Sequence, residues 1–373
     1  MKNPLLFANP RVYFGEDATE ALRDFNGKNV AIVTDAFMVK SGKADYLAGF
    51  MPDAHIEIFG DVKPDPDVGI LQAGATQFKS FQPDVIIALG GGSSLDAAKG
   101  IRVTLQEYCP KKAITLIAIP TTSGSGSEVT NYAIISDPEH GQKYPLVSDQ
   151  LSPDIAILDP NLVLSVPRGV AVDTGMDVLT HAIEAYVSST ANDFSDALAE
   201  KAISLVWNYL PQVFEHEKDL AARTRMHNAS CMAGMAFNAA GLGLVHGMAH
   251  ALGGIFHIPH GKINAMLLPL VIDYNAAHAS PTTLERYAHC SRLLGATRDD
   301  KRESIQQLTQ LIRMMNRRFG IPSTLRELNI SQADVAQHRQ RLIQAALADG
   351  CTATNPHTPT PDDVDSLITQ IAG

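Results

Sequence analysis

Residues 84–99 read DVIIALGGGSSLDAAK, and the stretch changes character halfway. Asp84-Val85-Ile86-Ile87-Ala88-Leu89 is a short, continuous apolar run, the pattern of a strand buried on both faces. Gly90, Gly91 and Gly92 interrupt it, and helical spacing follows over 94–107. Strand, glycines and helix start in that order make a phosphate-binding turn. Glycine lets backbone amides approach an anion, and a helix N-terminus adds free N–H groups and a favourable dipole. An ordinary strand-to-helix turn also uses glycine, but three in a row exceed its needs. Ser93 belongs to the cradle, and Asp96 falls in the first turn of the helix beside it.

The same alternation extends outward. Residues 29–34 (NVAIVT), 55–59 and 114–119 read as further buried strands, with helices near 36–50 and 68–80. Val/Ile-rich strands separated by helices predict a parallel, Rossmann-like sheet covered on both faces. A second loop, PTTSGSGSE (120–128), follows the strand at 114–119 and is rich in hydroxyls and small residues. Two such loops at neighbouring strand ends are where an open α/β sheet binds its ligand. Asp35 ends the first of these strands. It can accept from ribose hydroxyls and repel a 2′-phosphate, favouring NAD, or it can cap the next helix. No GxGxxG is present. Segments 130–136 and 143–147 flank the turn sequence DPEHG and predict a hairpin. Beyond Pro167 strand signals vanish and helical periodicity takes over, punctuated by Pro211, Pro259, Pro269 and Pro322. The chain therefore divides into an α/β NAD-binding domain (1–165) and an all-helical domain (166–373).

The helical part carries GLGLVHGMAHALGGIFHIPHGK (241–262), with His246, His250, His257 and His260. Asp177 and His181 lie four residues apart, as do His246 and His250, which places each pair on one helix face. A single such pair is commonly a surface contact, and a lone histidine in an apolar helix is commonly a satisfied core residue. Four imidazoles in a Gly-rich apolar run exceed structural need. An Asp and three His from separate helices make a four-ligand site for a divalent transition metal.

Composition narrows the partners. The 373 residues are 45% hydrophobic, and the formal charge is −10. An acidic chain excludes nucleic acid and anionic membrane as main partners. No apolar run reaches the roughly 20 residues that span a bilayer. The N-terminal MKNPLLFANPRVYFG does not read as a signal peptide. Cys109, Cys231, Cys290 and Cys351 form no CxxC and read as free thiols in a reducing cytoplasm.

With GGGSSLDAAK (90–99), PTTSGSGSEVT (120–130), GMDVLTHAIEAY (175–186) and GLGLVHGMAH…PHG (241–261), the chain resembles the iron-containing (group III) alcohol dehydrogenases over essentially its whole length. QKYPL (142–146), DALAEKA (196–202) and MHNAS (226–230) resemble the propanol dehydrogenases of propanediol utilisation in particular.

The resemblance implies Asp177, His181, His246 and His260 as ligands of Fe(II), with Zn(II) chemically acceptable. It implies His250 near the nicotinamide and substrate as catalytic proton relay. It implies Gly90, Gly91, Gly92 and Ser93 as the pyrophosphate cradle, with Thr121, Thr122 and Ser125 on the nucleotide and Lys143 near the nicotinamide ribose. Asp35 matches the position linked to NAD preference. Ser125 stands where the family usually has Thr, and Asp65 brings a carboxylate to a loop where many members have Asn. His257 matches no family role. The implied reaction is hydride exchange between NAD(H) and a short-chain primary alcohol or its aldehyde, a metal Lewis acid stabilising the alkoxide. A glycerol- or diol-type dehydrogenase, such as a lactaldehyde reductase or 1,3-propanediol dehydrogenase, is the alternative. Dehydroquinate synthase chemistry on the same fold would call for Lys and Arg near the metal; Met232, Met235, Phe237, Met248, Leu252 and Phe256 surround the motif instead. An inactive scaffold would be expected to lose ligands. The resemblance further implies a cytoplasmic homo-oligomer, a dimer or larger, and admits a place in a bacterial microcompartment with its components as partners.

Overall fold

A computed structural model describes residues 7, 9–108, 110, 112–137 and 142–373. Eight strands are present among them: β1 (Arg11–Phe14), β2 (Asn29–Asp35), β3 (His55–Val62), β4 (Val85–Gly90), β5 (Thr115–Pro120), β6 (Tyr132–Asp137), β7 (Gln142–Val147) and β8 (Ile155–Leu158). Six form one all-parallel sheet in the order β1-β8-β5-β4-β2-β3. β6 and β7 form the expected antiparallel hairpin, Tyr132 opposite Val147. Its turn lies outside the described residues.

The helices of the first part are α1 (Ala36–Lys40), α2 (Lys43–Ala48), α3 (Val68–Phe81) and α4 (Gly92–Tyr108). Side chains alternate across the pleat. Ala31, Val33, Ile86 and Ala88 enter one core, and Val30, Ile32, Val85, Ile87 and Leu89 the other. That division is why these strands lack polar alternation. The helix expected over 36–50 is two helices, because Gly42 takes a left-handed conformation with φ of 73° between them. The expected four strands are six; β1 and β8 are only four residues each.

From Pro167 onward the described structure is helical: α5 (Arg168–Val187), α6 (Asp193–Glu215), α7 (Leu220–Ala240), α8 (Leu244–Phe256), α9 (His260–His278), α10 (Pro281–Leu293), α11 (Lys301–Phe319), α12 (Gln332–Ala348) and α13 (Pro361–Ala372). Pro211 and Pro269 do not end helices but lie inside α6 and α9. Each removes one helical hydrogen bond, which the packing of a long amphipathic element offsets. Two compact units result. One ends at Val166 and also holds Lys218–Gly234; the other comprises Pro167–Glu217 and Met235–Gly373. The Lys218–Gly234 excursion, the first part of α7, has no counterpart in the sequence-based division. Among the described residues no single helix is long and apolar enough to cross a membrane.

Candidate metal centre and nucleotide loops

In the helical unit, α5 is buried over most of its length, and Asp177, His181 and Glu184 fall on one stripe of it. α8 brings His246, and α9 begins at His260. One donor atom from each of Asp177, His181, His246 and His260 lies within 4.8 Å of all the others. Asp177 Oδ1 stands 3.5 Å from His246 Nε2 and 3.8 Å from both His181 Nε2 and His260 Nε2. Tetrahedral bonds of about 2.1 Å require donor separations of about 3.4 Å. The residues therefore fit a divalent ion, with three imidazole nitrogens and one carboxylate oxygen as ligands.

The surroundings favour positive charge at this point. Burial alone would raise Asp177, but the imidazoles of His181, His260 and His246 outweigh it and hold the carboxyl well below the usual range. Burial alone would lower His246, yet Asp177 and Glu184 push it up to about 9. Two carboxylates facing one imidazole stabilise a cation there, whether proton or metal.

Two residues that sequence reasoning missed complete the centre. Glu184 accepts from His246 Nδ1 at 2.6 Å and from Val245 N at 2.7 Å, fixing the ring so that Nε2 faces the other donors. A Cβ on Gly243 would stand 2.7 Å from Glu184 Oε1, so glycine there makes room for the carboxylate. Asn264, one turn after His260, donates from Nδ2 to Asp177 Oδ1 at 2.6 Å and lies 3.1 Å from His246 Nε2 and His260 Nε2. It thus caps the face those three donors form. His181 stacks on His246, ring centroids 4.6 Å apart, and packs against Phe237, also with ring centroids 4.6 Å apart. For Glu184→Gln, metal affinity measured by equilibrium dialysis is expected to fall about 10-fold or more, the usual cost of losing an outer partner. Unchanged affinity would mean that the Glu184 contact does not orient His246.

His250, one turn after His246, is not among the four donors. It stacks on His260 with centroids 5.2 Å apart and donates from Nδ1 to Asp349 Oδ2 at 2.8 Å. Asp349 thereby leaves Nε2 as the ring's free acceptor. His257, to which the sequence assigned no role, is the left-handed C-cap of α8, with φ of 53°. Met248 and Leu252 are core residues.

The nucleotide loops lie in the other unit. The sheet order reverses at β2, whose neighbours are β3 and β4, so the topological switch point is between β2 and β4. Asp35 ends β2 and Gly90 ends β4 at that point. Asp35 Oδ1 caps α1, accepting from Phe37 N and Met38 N, while Oδ2 lies 3.5 Å from where a Gly90 Cβ would be. Capping and proximity to the cradle are thus both observed. Gly90 has φ of 147° and a Cβ there would strike Ser94, so no other residue fits. Gly91 and Gly92 open α4, with Thr122 and Ser125 of the second loop packed against them. Thr121 is buried, its amide bonded to Gly90 O. The Lys143 side chain lies outside the described residues. Asp65 is exposed in a left-handed conformation, φ 57°.

Asp96, expected at the cofactor, is engaged within the protein on both oxygens. Its Oδ1 accepts from Ser127 Oγ at 2.6 Å and its Oδ2 from Ile134 N at 3.0 Å. Both oxygens are committed inside the protein, so Asp96 ties the second loop and β6 to α4. Buried Lys99 donates to Tyr132 O at 2.6 Å and Thr130 Oγ1 at 3.2 Å, extending the tie. His227 of α7 meets Ser123 Oγ at 3.0 Å, a support no local pattern announced. Glu128, buried in this network, is pushed up by burial to about 7. A raised carboxyl binds more protons folded than unfolded, so its contribution is present below the ordinary value of 4.5 and is lost as pH rises through about 7. Thermal midpoints should fall across that window in the wild type and fall less in Glu128→Gln; equal slopes would remove Glu128 as the source.

Comparison with known proteins follows the same division. A family model described as iron-containing alcohol dehydrogenase matches residues 9–160, and the C-terminal model of the Fe-containing alcohol dehydrogenase family matches residues 171–372. The chain is 44% identical to the 1-propanol dehydrogenase PduQ of Salmonella typhimurium over 97% of its own length and 98% of that protein's. The PduQ of Citrobacter freundii is 43% identical over the same shares. Among solved structures, a 1,3-propanediol oxidoreductase has a TM-score of 0.91 at 31% identity, covering 99% of this chain and 100% of that one. A sulfoacetaldehyde reductase from Bifidobacterium kashiwanohense, in complex with NAD+, has a TM-score of 0.87 at 29% identity, covering 99% of each chain.

Proposed function

The chain belongs to the iron-containing alcohol dehydrogenase family, and from that premise we propose the division of labour within it. It is a metal- and NAD-dependent alcohol oxidoreductase, and its reaction interconverts a short-chain primary alcohol, propanol foremost, with the aldehyde. The carrying observation is the four-donor centre on α5, α8 and α9, whose spacing suits one divalent ion. Asp177, His181, His246 and His260 hold that ion, iron by family. When bound, the ion supplies a Lewis acid to the substrate oxygen and the nicotinamide exchanges the hydride.

The protein's own groups do the rest. Glu184 and Asn264 fix the ligands, and His250, its Nδ1 committed to Asp349, takes or returns the hydroxyl proton at Nε2. Gly90 to Ser93, at the start of α4, hold the pyrophosphate, and Thr121, Thr122 and Ser125 shape the second loop around the nucleotide. Lys143 serves the nicotinamide ribose, and the free oxygen of Asp35 meets the adenosine ribose. Phe237 packs on the His181 ring, and Lys262 near His260 is paired with Asp173 at 3.6 Å. Such a neighbourhood suits an uncharged aliphatic substrate better than a phosphorylated one. The α/β unit serves the cofactor and the helical unit the metal. We further propose that the protein is a cytoplasmic homo-oligomer that works with microcompartment components.

The test is anaerobic NADH-linked reduction of aldehydes from acetaldehyde to pentanal, with lactaldehyde and 3-hydroxypropanal alongside, on protein stripped of metal and reloaded with Fe(II) or Zn(II). Metal-restored turnover peaking at propanal is expected. A peak on hydroxyaldehydes would replace the substrate assignment, and no turnover with any metal would overturn the reading.

A further inference from the structure

We propose that His250, Asp349 and Cys351 form a second, thiolate-containing site for a soft divalent cation, separate from the Asp177 centre. A ring nitrogen of His250, an Asp349 oxygen and Cys351 Sγ all lie within 4.8 Å of one another, His250 Nδ1 being 2.8 Å from Asp349 Oδ2, and all three residues are half-buried, so an ion can reach them. The main centre offers nitrogen and oxygen only, whereas this one adds sulfur, which selects softer ions such as zinc or cadmium.

The chain builds the grouping from distant parts. α8 presents His250 one turn beyond His246, and Asp349 is the C-cap of α12. Cys351 opens the short turn that follows. Gly247 lets that turn come close: a Cβ there would stand 2.0 Å from Thr352 Oγ1. Thr352 is itself anchored to Ala346 O at 2.6 Å. The Asp349 carboxylate receives His250 Nδ1–H at 2.8 Å, Cys351 N at 2.8 Å and the Cys351 thiol. Burial and the neighbouring carboxylate push that thiol well above its ordinary value, so it stays protonated until a cation displaces the proton.

The exchange balances. The cation takes Nδ1, Oδ2 and Sγ; the imidazole proton moves from Nδ1 to Nε2, and the thiol proton leaves to solvent. Asp349, thiolate and dication sum to zero charge, which limits repulsion from an ion at the neighbouring centre, whose ligand His260 is stacked on His250. Nδ1 and Oδ2 must spread from 2.8 Å to the roughly 3.4 Å of shared ligands, a movement open to half-exposed side chains. Occupancy also protonates Nε2, the atom assigned to the proton relay, so the second cation inhibits. That inhibition, unlike the binding, rests on the reading of His250 given above.

The experiment uses holoenzyme carrying one equivalent of Zn(II), to which Co(II) is added. Bound metal is counted by dialysis, the sulfur-to-cobalt charge-transfer band is followed in the near ultraviolet, and NADH-linked turnover is read in parallel. A second equivalent is expected, with the sulfur band, and turnover falling in step with it. Cys351→Ser should lose the band and bind the second cation more weakly by over the roughly 10-fold that an outer partner costs, each variant judged against its own uninhibited rate. One equivalent only, or a band that survives in Cys351→Ser, overturns the site. Band and second equivalent with unchanged turnover keep the site and remove the relay role of His250.

Discussion

Asp177→Asn should abolish turnover while leaving the fold standing. Asn is nearly the same shape as Asp, and the position is buried on α5, so packing survives the exchange. What disappears is the charge. Asp177 Oδ1 is the atom from which all three Nε2 donors are measured, at 3.5, 3.8 and 3.8 Å, and Asp177 is the only carboxylate among the four proposed ligands. An amide oxygen at the Oδ1 position is a weaker ligand, and in the flipped orientation the amide nitrogen would face Asn264 Nδ2, donor to donor. Metal content after dialysis should fall to near zero. Lewis-acid stabilisation is worth several kcal/mol; about 4 kcal/mol corresponds to roughly a 10³-fold loss in turnover. The wild type stripped by chelator should show the same loss and recover on reloading, which Asp177→Asn should not. Circular dichroism and thermal midpoint separate a lost centre from a lost fold. Full activity in a variant holding no metal would falsify the assignment.

How much of this was legible beforehand depended on how local each signal was. The sheet's centre was legible because β2, β4 and β5 are buried on both faces and so consist of unbroken apolar runs. β1 and β8 were not, because four residues leave too few positions for a pattern to repeat. The four candidate metal ligands came from helical spacing combined with family likeness, and the structure brings those four together and leaves His250 beside them. Glu184 and Asn264 had a signal that was overlooked: each lies on the same helical stripe as a ligand, seven residues after Asp177 and four after His260. Asp349 had none. It sits 99 residues from His250, and only the tertiary fold makes them neighbours. Asp96 differs again. Its place in the first turn of α4 was right, but spacing cannot say which way a first-turn carboxylate faces, and it faces Ser127 and Ile134.

Gly261→Ala should disable the same centre without touching a ligand. A Cβ at this position would lie 2.1 Å from Asp173 O and 2.6 Å from Asp173 C, both backbone atoms of α5, and 3.2 Å from Asp177 Cβ. No rotamer relieves a clash with backbone, so the start of α9 must withdraw. Ordinary contact begins near 3.4 Å, so the first pair must part by about 3.4 − 2.1 = 1.3 Å. His260 and Asn264 ride on α9, whereas Asp177 and His181 ride on α5. His260 Nε2 is already 3.8 Å from Asp177 Oδ1. Two bonds of about 2.1 Å span at most about 4.2 Å, so a withdrawal of that size takes His260 out of reach. Overpacking of this kind also costs about 1–3 kcal/mol of stability. Metal affinity should drop by more than about 10-fold, beyond the effect of losing an outer partner, with a lower thermal midpoint. Gly254→Ala is the matched control. It lies in α8, exposed, with nothing within 4 Å of its Cβ, so alanine there should be neutral or slightly stabilising and metal binding should be unchanged. If Gly261→Ala binds metal as tightly as Gly254→Ala does, the centre does not depend on the close approach of α9 to α5, and the geometric account of His260 fails.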